Sequence, residues 1–329
     1  MGFKVFVTDF INDALKPERE TLGALADVLA LNAFSEEELH GRIEDADALM
    51  VYHNLALTRR TLKRLKKCKL IVRCGVGFDN VDGPFARSRG IALANVPDYG
   101  AEEVADTAIG MALSIARGIS FLNSRLRGKQ GPWMYTQAAP LHRLRGRVFG
   151  IAGLGRIGTA AAARAKALGM DAIFYDPLKP DGYDKALGIR RVESVEALFR
   201  SSFILSLHCP LTPATRHLVN AKTIQLLPKG AVLVNTSRGA VVDVAAIPDA
   251  IASGQLLGAG IDVLEDEPPR EDNPLLAAWR NPEHPAHHRV LINPHAAFYC
   301  EEGLLEMRVK GATACRLALL GEGVRNVVN

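Results

Sequence analysis

Three segments of this chain end in side chains able to move a proton or grip an anion: Arg238 in LVNTSRGAVVD, Glu267 in IDVLEDEPP and His295 in INPHAAF. Each follows an apolar run of strand character. Arginine offers a planar fork of donors that suits a carboxylate and polarises an adjoining carbonyl oxygen, and it keeps its charge at any working pH. Histidine can take up or return a hydroxyl proton near neutrality. Glutamate beside the imidazole would fix its tautomer. The three together suit the interconversion of a 2-hydroxy acid and a 2-oxo acid, given a hydride carrier next to them. Singly, each has a plain structural reading: an arginine after a strand, an acid flanking a helix, a histidine capping one.

The carrier has a candidate site in VFGIAGLGRIG, Val148 to Gly158, an apolar run that closes on Gly153, Gly155 and Gly158 before an alanine-rich helical stretch. In a dinucleotide site the first glycine permits the tight turn, the second lets backbone approach a pyrophosphate, and the third lets helix and strand pack closely. The helix start adds free N–H groups and a partial positive charge. Alone, the pattern serves a tight strand-to-helix connection equally well. The next apolar run ends on Asp176, eighteen residues beyond Gly158, near the spacing at which a carboxylate grips a ribose 2′-hydroxyl. A carboxylate there repels a 2′-phosphate by on the order of 4 kcal/mol at about 4 Å and an effective dielectric of 20, before screening, so NAD is expected over NADP.

A chain of 329 residues suits about two domains. The charge, +4 from 40 basic and 36 acidic residues, is spread along the chain. KRLKK at Lys63 to Lys67 is the one dense cluster and reads as a solvated helix face rather than a nucleic-acid patch. No run of 18 apolar residues predicts a membrane span, and MGFKVFVTDF does not resemble a signal peptide. Five cysteines without a CxxC suggest a reduced, cytoplasmic setting. His284, His287 and His288 lie in a proline-rich run without a helical i, i+4 frame, so no metal is expected.

In chain order, β-rich runs such as KVFVTDF, ALMVYH, KLIVRCGV and IALANV alternate with polar segments, SEEELHGRIEDA and TRRTLKRLKKC, that read as helices. This rhythm predicts a parallel sheet covered on both faces. Ala101 to about Arg127 reads as one long helix with an apolar stripe. The polar, aromatic-spotted stretch that follows holds Trp133, Met134 and Tyr135, which suit either a subunit contact or a loose surface loop. FILSLHCP, AVLVNTS, GAGIDVLE and VLINPH continue a second βα series, and a last amphipathic helix runs from Glu301 to about Leu320. Ligands bind beyond the carboxyl ends of such strands. Tyr52 and His53 end ALMVYH and are expected to face a cleft, although His53 also fits a satisfied strand end.

The ordered set GLGRIG, FYDP, HCPLTPATRHLVN, VNTSRGAVVD, GAGIDVLEDEPP and NPHAAFY resembles the D-isomer-specific 2-hydroxyacid dehydrogenase family, and ALMVYHNLALTRRTL with VRCGVGFDNVD extends the likeness into the first domain. PHAAFY, EEGLLEMR and NVVN resemble the C-terminal-binding-protein branch, which usually carries Trp where this chain has Phe298; Phe keeps the apolar bulk without the indole donor. The resemblance implies an α/β fold of two doubly wound parallel-sheet domains. A Rossmann NAD domain, residues 100–298, is inserted in a smaller flavodoxin-like substrate domain, residues 1–99 and 299–329. It implies that Arg238 binds substrate, that His295 is the acid/base and that Glu267 is its partner. Amides near Val76 and Gly77 would hold the substrate carboxylate. Arg156 and Ile157 would cover the pyrophosphate, and Thr107 and Asp262 would flank the nicotinamide. Cys209-Pro210 would lie under the adenine, though Cys209 is as readily a small buried filler. Tyr52, His53 and Phe298 would line the substrate side.

The expectation is therefore an NAD-dependent oxidoreductase acting on a small 2-oxo or 2-hydroxy acid, with hinges near Pro97 to Gly100 and His295 to Tyr299 that let the first domain close over the second. It is expected to be a homodimer through the 100–145 helix and loop, with no nucleic-acid or membrane partner. The alternative is an NAD(H)-sensing interaction protein of corepressor type, in which turnover is incidental.

Overall fold

The computed structural model describes residues 2–329. Its contacts divide the chain into two compact units, the first running to Gly100 and resumed by Tyr299–Asn329, the second formed by Ala101–Phe298. Gly100 thus falls with the first unit rather than the second.

The first unit holds β1 (Phe3–Val7), β2 (Ala26–Ala30), β3 (Ala48–Val51), β4 (Leu70–Arg73) and β5 (Ala92–Asn95) in the spatial order β2-β1-β3-β4-β5, every neighbour parallel. That is the flavodoxin-like order, with its switch point between β1 and β3. All four residues of β3 and of β4 are buried, as a sheet covered on both faces requires. One cover is the helix Glu301–Leu320, which approaches closely because a Cβ on Gly311 would lie 2.8 Å from the Cys74 sulfur. Arg308 on that helix donates to Glu18 (2.7 and 2.8 Å) and Asp13 (2.6 and 2.8 Å), tying it to the helix Lys16–Leu22.

The second unit holds β6 (Val148–Ala152), β7 (Asp171–Tyr175), β8 (Arg190–Arg191), β9 (Ile204–Leu207), β10 (Ala231–Asn235), β11 (Leu256–Ile261) and β12 (Val290–Ile292), all parallel, in the order β12-β11-β10-β9-β6-β7-β8. This is the doubly wound dinucleotide-binding order with one strand added, and its switch point lies between β6 and β9.

Three local expectations are corrected. The helix after Ala101 stops at Ala116 and restarts at Ile119, bent by 65°. Gly118 takes a left-handed φ of 63° there, and a Cβ on it would sit 3.0 Å from the Ala138 methyl, so glycine allows both the turn and the packing. SEEELHGRIEDA forms only a 3₁₀ turn at Glu37–Leu39, and TRRTLKRLKKC only the short helix Arg59–Leu62. In the first, the polar side chains go to local bonds: Glu44 accepts from Gly41 N–H, and Glu38 from Phe34 N–H. Among the described residues no single helix is long and apolar enough to cross a membrane.

Candidate active site

The glycine turn follows β6. Gly153 has φ 90°, and a Cβ there would lie 2.8 Å from the Cys209 backbone; one on Gly158 would lie 2.3 Å from the Gly153 carbonyl oxygen. Gly155 meets nothing within 4 Å, so the backbone between them is open to a ligand. Gly155 also caps the helix Arg156–Ala167 without a side-chain hydrogen bond, which leaves the amides near Arg156 and Ile157 for an anion. At the end of β7 the Asp176 carboxylate accepts from Leu154 N–H (2.9 Å) and Leu178 N–H (3.0 Å). These bonds seat it against the turn. The residues thus fit a dinucleotide: a cradle that a Cβ would fill, an uncapped helix start and a ribose acceptor. Cys209 serves the turn through its backbone, and burial pushes its thiol up to about 11, which keeps it protonated.

Two of the three reactive side chains, those beyond β11 and β12, meet. His295 Nδ1 lies 2.7 Å from Glu267 Oε2, and Glu267 Oε1 accepts from Leu264 N–H at 2.9 Å. A carboxylate only accepts, so Nδ1 carries the proton and Nε2 is left for chemistry. His295 itself has a left-handed φ of 52°. That strain is held by Asp262: its backbone oxygen accepts from His295 N–H (2.8 Å), and its Oδ1 accepts from both Ala296 and Ala297 N–H (3.0 Å each). Burial pushes the Asp262 carboxyl above its ordinary value, against the pull of the Ala296 amide, His295 and the Ala297 amide. Thr107 Oγ1 donates to Ala297 O at 3.4 Å, and Phe298 meets the His295 ring edge-on at 6.2 Å.

Arg238 stands on a turn fixed by Asn235, which sequence reasoning missed. Asn235 is fully buried; its Nδ2 donates to Arg238 O (2.9 Å), while its Oδ1 accepts from Ser237 N–H (3.0 Å) and Oγ (2.8 Å). The NTSRG string held the signal, since an Asx side chain bonds readily to backbone two residues on. Gly239 then packs on the backbone carrying Leu264 and Glu265.

In the first unit, Asn95 Nδ2 donates to Val76 O (2.6 Å), fixing the GVGFDN turn that holds Val76 and Gly77. His53 is half-buried beside Phe10, ring centroids 4.7 Å apart. Tyr52 does not face a cleft. Its side chain is fully buried beside Cys74, and burial holds the phenol well above its ordinary value, because the strand end turns it into the core. The His284, His287 and His288 run makes structural bonds: His284 caps Ala286 N–H, His287 meets Trp279 O, and His288 bridges Ser124 and Gln130.

Residues 109–297 match the family model of the D-isomer specific 2-hydroxyacid dehydrogenase, NAD binding domain. The chain belongs to that family. Its relatives include the D-3-phosphoglycerate dehydrogenase of Methanocaldococcus jannaschii, 36% identical over 99% of this chain and 59% of that protein. Another is C-terminal-binding protein 1 of Caenorhabditis elegans, 31% identical over 92% of this chain and 42% of that protein. The chain therefore spans only part of the length of these relatives, and its identity to the phosphoglycerate dehydrogenase exceeds that to the C-terminal-binding protein. Among solved structures, the D-lactate dehydrogenase of Aquifex aeolicus complexed with NAD and lactic acid superposes with a TM-score of 0.84, at 26% identity, over 97% of this chain and 96% of that one. In the family's terms, the second unit is its NAD-binding domain, and the cofactor is NAD.

Proposed function

We propose that this family member is an NAD-dependent 2-hydroxyacid dehydrogenase working on a small 2-oxo or 2-hydroxy acid. The observation that carries the reading is the His295–Glu267 pair at 2.7 Å, beyond the same strand ends that seat the glycine turn and Arg238. Bound NADH would supply the hydride. Arg238 grips the substrate carboxylate and polarises its carbonyl oxygen, with the Val76 and Gly77 amides as further donors to the carboxylate. His295 Nε2 delivers the proton to the developing alkoxide, and in oxidation takes it back. Glu267 steadies the ring as its charge changes. Asp262, whose Oδ1 is taken by two amides, offers Oδ2 to a carboxamide, with Thr107 beside it. Arg156, Ile157, Cys209 and Pro210 line the remaining dinucleotide, and His53 and Phe298 the substrate.

We infer the assembly and setting in the same way. Trp133, Met134 and Tyr135 are 86%, 53% and 77% exposed, and an apolar patch of that size on the 100–145 segment supports a homodimer. Five free cysteines, four of them buried, support a reducing compartment, the cytoplasm. The test of function is NADH consumption against glyoxylate, pyruvate, hydroxypyruvate and their phosphorylated analogues. Turnover of one or more supports the reading. Inertness toward all of them, together with NADH-dependent assembly, supports the sensing protein instead.

A further inference from the structure

At the end of β1 lies a buried carboxylate that takes no part in the chemistry above. Asp9 is fully buried, and its oxygens accept from the two amides that flank His53: Tyr52 N–H on Oδ1 and Asn54 N–H on Oδ2, both at 2.9 Å. Thr8 Oγ1 adds a third bond at 2.6 Å. The carbonyls of the same segment are held from the other side, because Asn80 Nδ2 donates to both Tyr52 O and Leu55 O at 2.8 Å. Asn80 closes the GVGFDN turn, whose start is fixed by Val96 N–H on Gly75 O (3.1 Å) and by Asn95 on Val76 O. Phe10, next to Asp9, adopts a left-handed φ of 66°, costly for a bulky residue, and its ring lies against both His53 and Tyr52. Burying a carboxylate is costly unless hydrogen bonds offset it. Here the bonds that offset that cost hold the N–H groups of the residues on each side of one half-exposed histidine.

We infer that Asp9 and Asn80 are positioning residues: they clamp the Tyr52–Leu55 segment so that His53 is presented to the substrate in fixed register with the carboxylate-binding turn. The inference rests on the function proposed above. A clamp that acts through His53 has a kinetic signature that a residue needed only for folding lacks. Without His53, loosening its segment has little left to spoil.

The experiment compares wild type, Asp9→Asn, His53→Ala and the double variant. Asp9→Asn keeps the size of the side chain and removes one of the two acceptors. The readouts are steady-state NADH oxidation with glyoxylate and calorimetric affinity for oxamate, an unreactive 2-oxo acid analogue, on the NADH-loaded full chain. NADH affinity is read by fluorescence. Expected for Asp9→Asn is a KM and oxamate Kd raised about 5-fold or more, kcat changed less, and NADH affinity within 2-fold. The double variant should fall within about 2-fold of His53→Ala. Multiplying effects in the double variant, or an equal loss of NADH affinity, would overturn the inference. If Asp9→Asn does not fold, Asn80→Ala replaces it, since the Asp9 carboxylate then stays satisfied; its effect with His53→Ala should be less than the product of the two, and a full product overturns the clamp. If glyoxylate is not a substrate, the same comparison is run with whichever 2-oxo acid of the panel is turned over; a wild type inert toward the whole panel that does not bind oxamate overturns the functional reading, and this inference with it.

Discussion

Gly239 and Leu264 are in backbone contact: a Cβ built on Gly239 would stand 1.9 Å from the Leu264 carbonyl carbon and 2.3 Å from Glu265 N. The turn that aims Arg238 and the loop that starts toward Glu267 are therefore packed as one piece. No side-chain adjustment can relieve a clash of backbone with Cβ. Gly239→Ala is expected to separate the two loops and lower kcat/KM by about 10² or more, in the range of a small misplacement at a site of reaction. The check is steady-state kinetics beside a far-UV spectrum showing that the chain remains folded.

The Arg308 guanidinium is 8% exposed and bonds the fully buried Glu18. Removing one partner of such a pair strands the other. Arg308→Met should cost about 3–5 kcal/mol of stability, read as a lowered urea midpoint. Replacing Glu18 by Gln in the same background should recover part of the loss, because no buried charge then stands alone.

Glu44 gives the acid limb a definite window. Burial alone would raise its carboxyl, but the Gly41 N–H (2.8 Å) and Arg64 Nε (2.9 Å) outweigh that and hold it at about 2, down from 4.5. A lowered folded value means the contribution is complete above about pH 4.5 and is lost as pH falls from there toward 2. The stability difference between wild type and Glu44→Gln should be level from pH 7 to 5 and shrink steadily between pH 4.5 and 2 in urea unfolding.

In the function proposed, Asp176 is the carboxylate that a 2′-phosphate would meet. Asp176→Ala should shift the ratio of NADPH to NADH affinity toward NADPH by between about 10-fold and 10³-fold, the upper figure corresponding to the unscreened repulsion. Part of the NADH affinity should fall as well, since Leu154 N–H loses its acceptor. Fluorescence titration with both nucleotides reads each effect.

How far the sequence speaks follows from which forces are local. Gly153, Gly158 and Asp176 were legible because a tight turn and a strand end impose residue types at fixed spacing, and the glycine contacts show why no other residue fits. Arg238, Glu267 and His295 were legible as strand-end groups. Tyr52 was not, since the ALMV strand before it is buried on both faces and the alternation that would tell inside from outside is missing. The break at Gly118 hid in a stretch whose apolar spacing carries on through it, and the Ala138 methyl that packs against the turn is distant in sequence. Asn235, Asp9 and Asn80 act through backbone groups, which leave no mark on hydrophobic pattern.

If His295 Nε2 moves the proton while the nucleotide is held elsewhere, one variant separates the two functions. The most direct test is NADH oxidation by wild type and His295→Ala with the preferred 2-oxo acid, beside NADH affinity measured on both. In the variant kcat should fall by about 10² to 10⁴ while NADH Kd stays within 2-fold. Turnover retained in the variant, or an NADH affinity that falls as far as the rate, would contradict it.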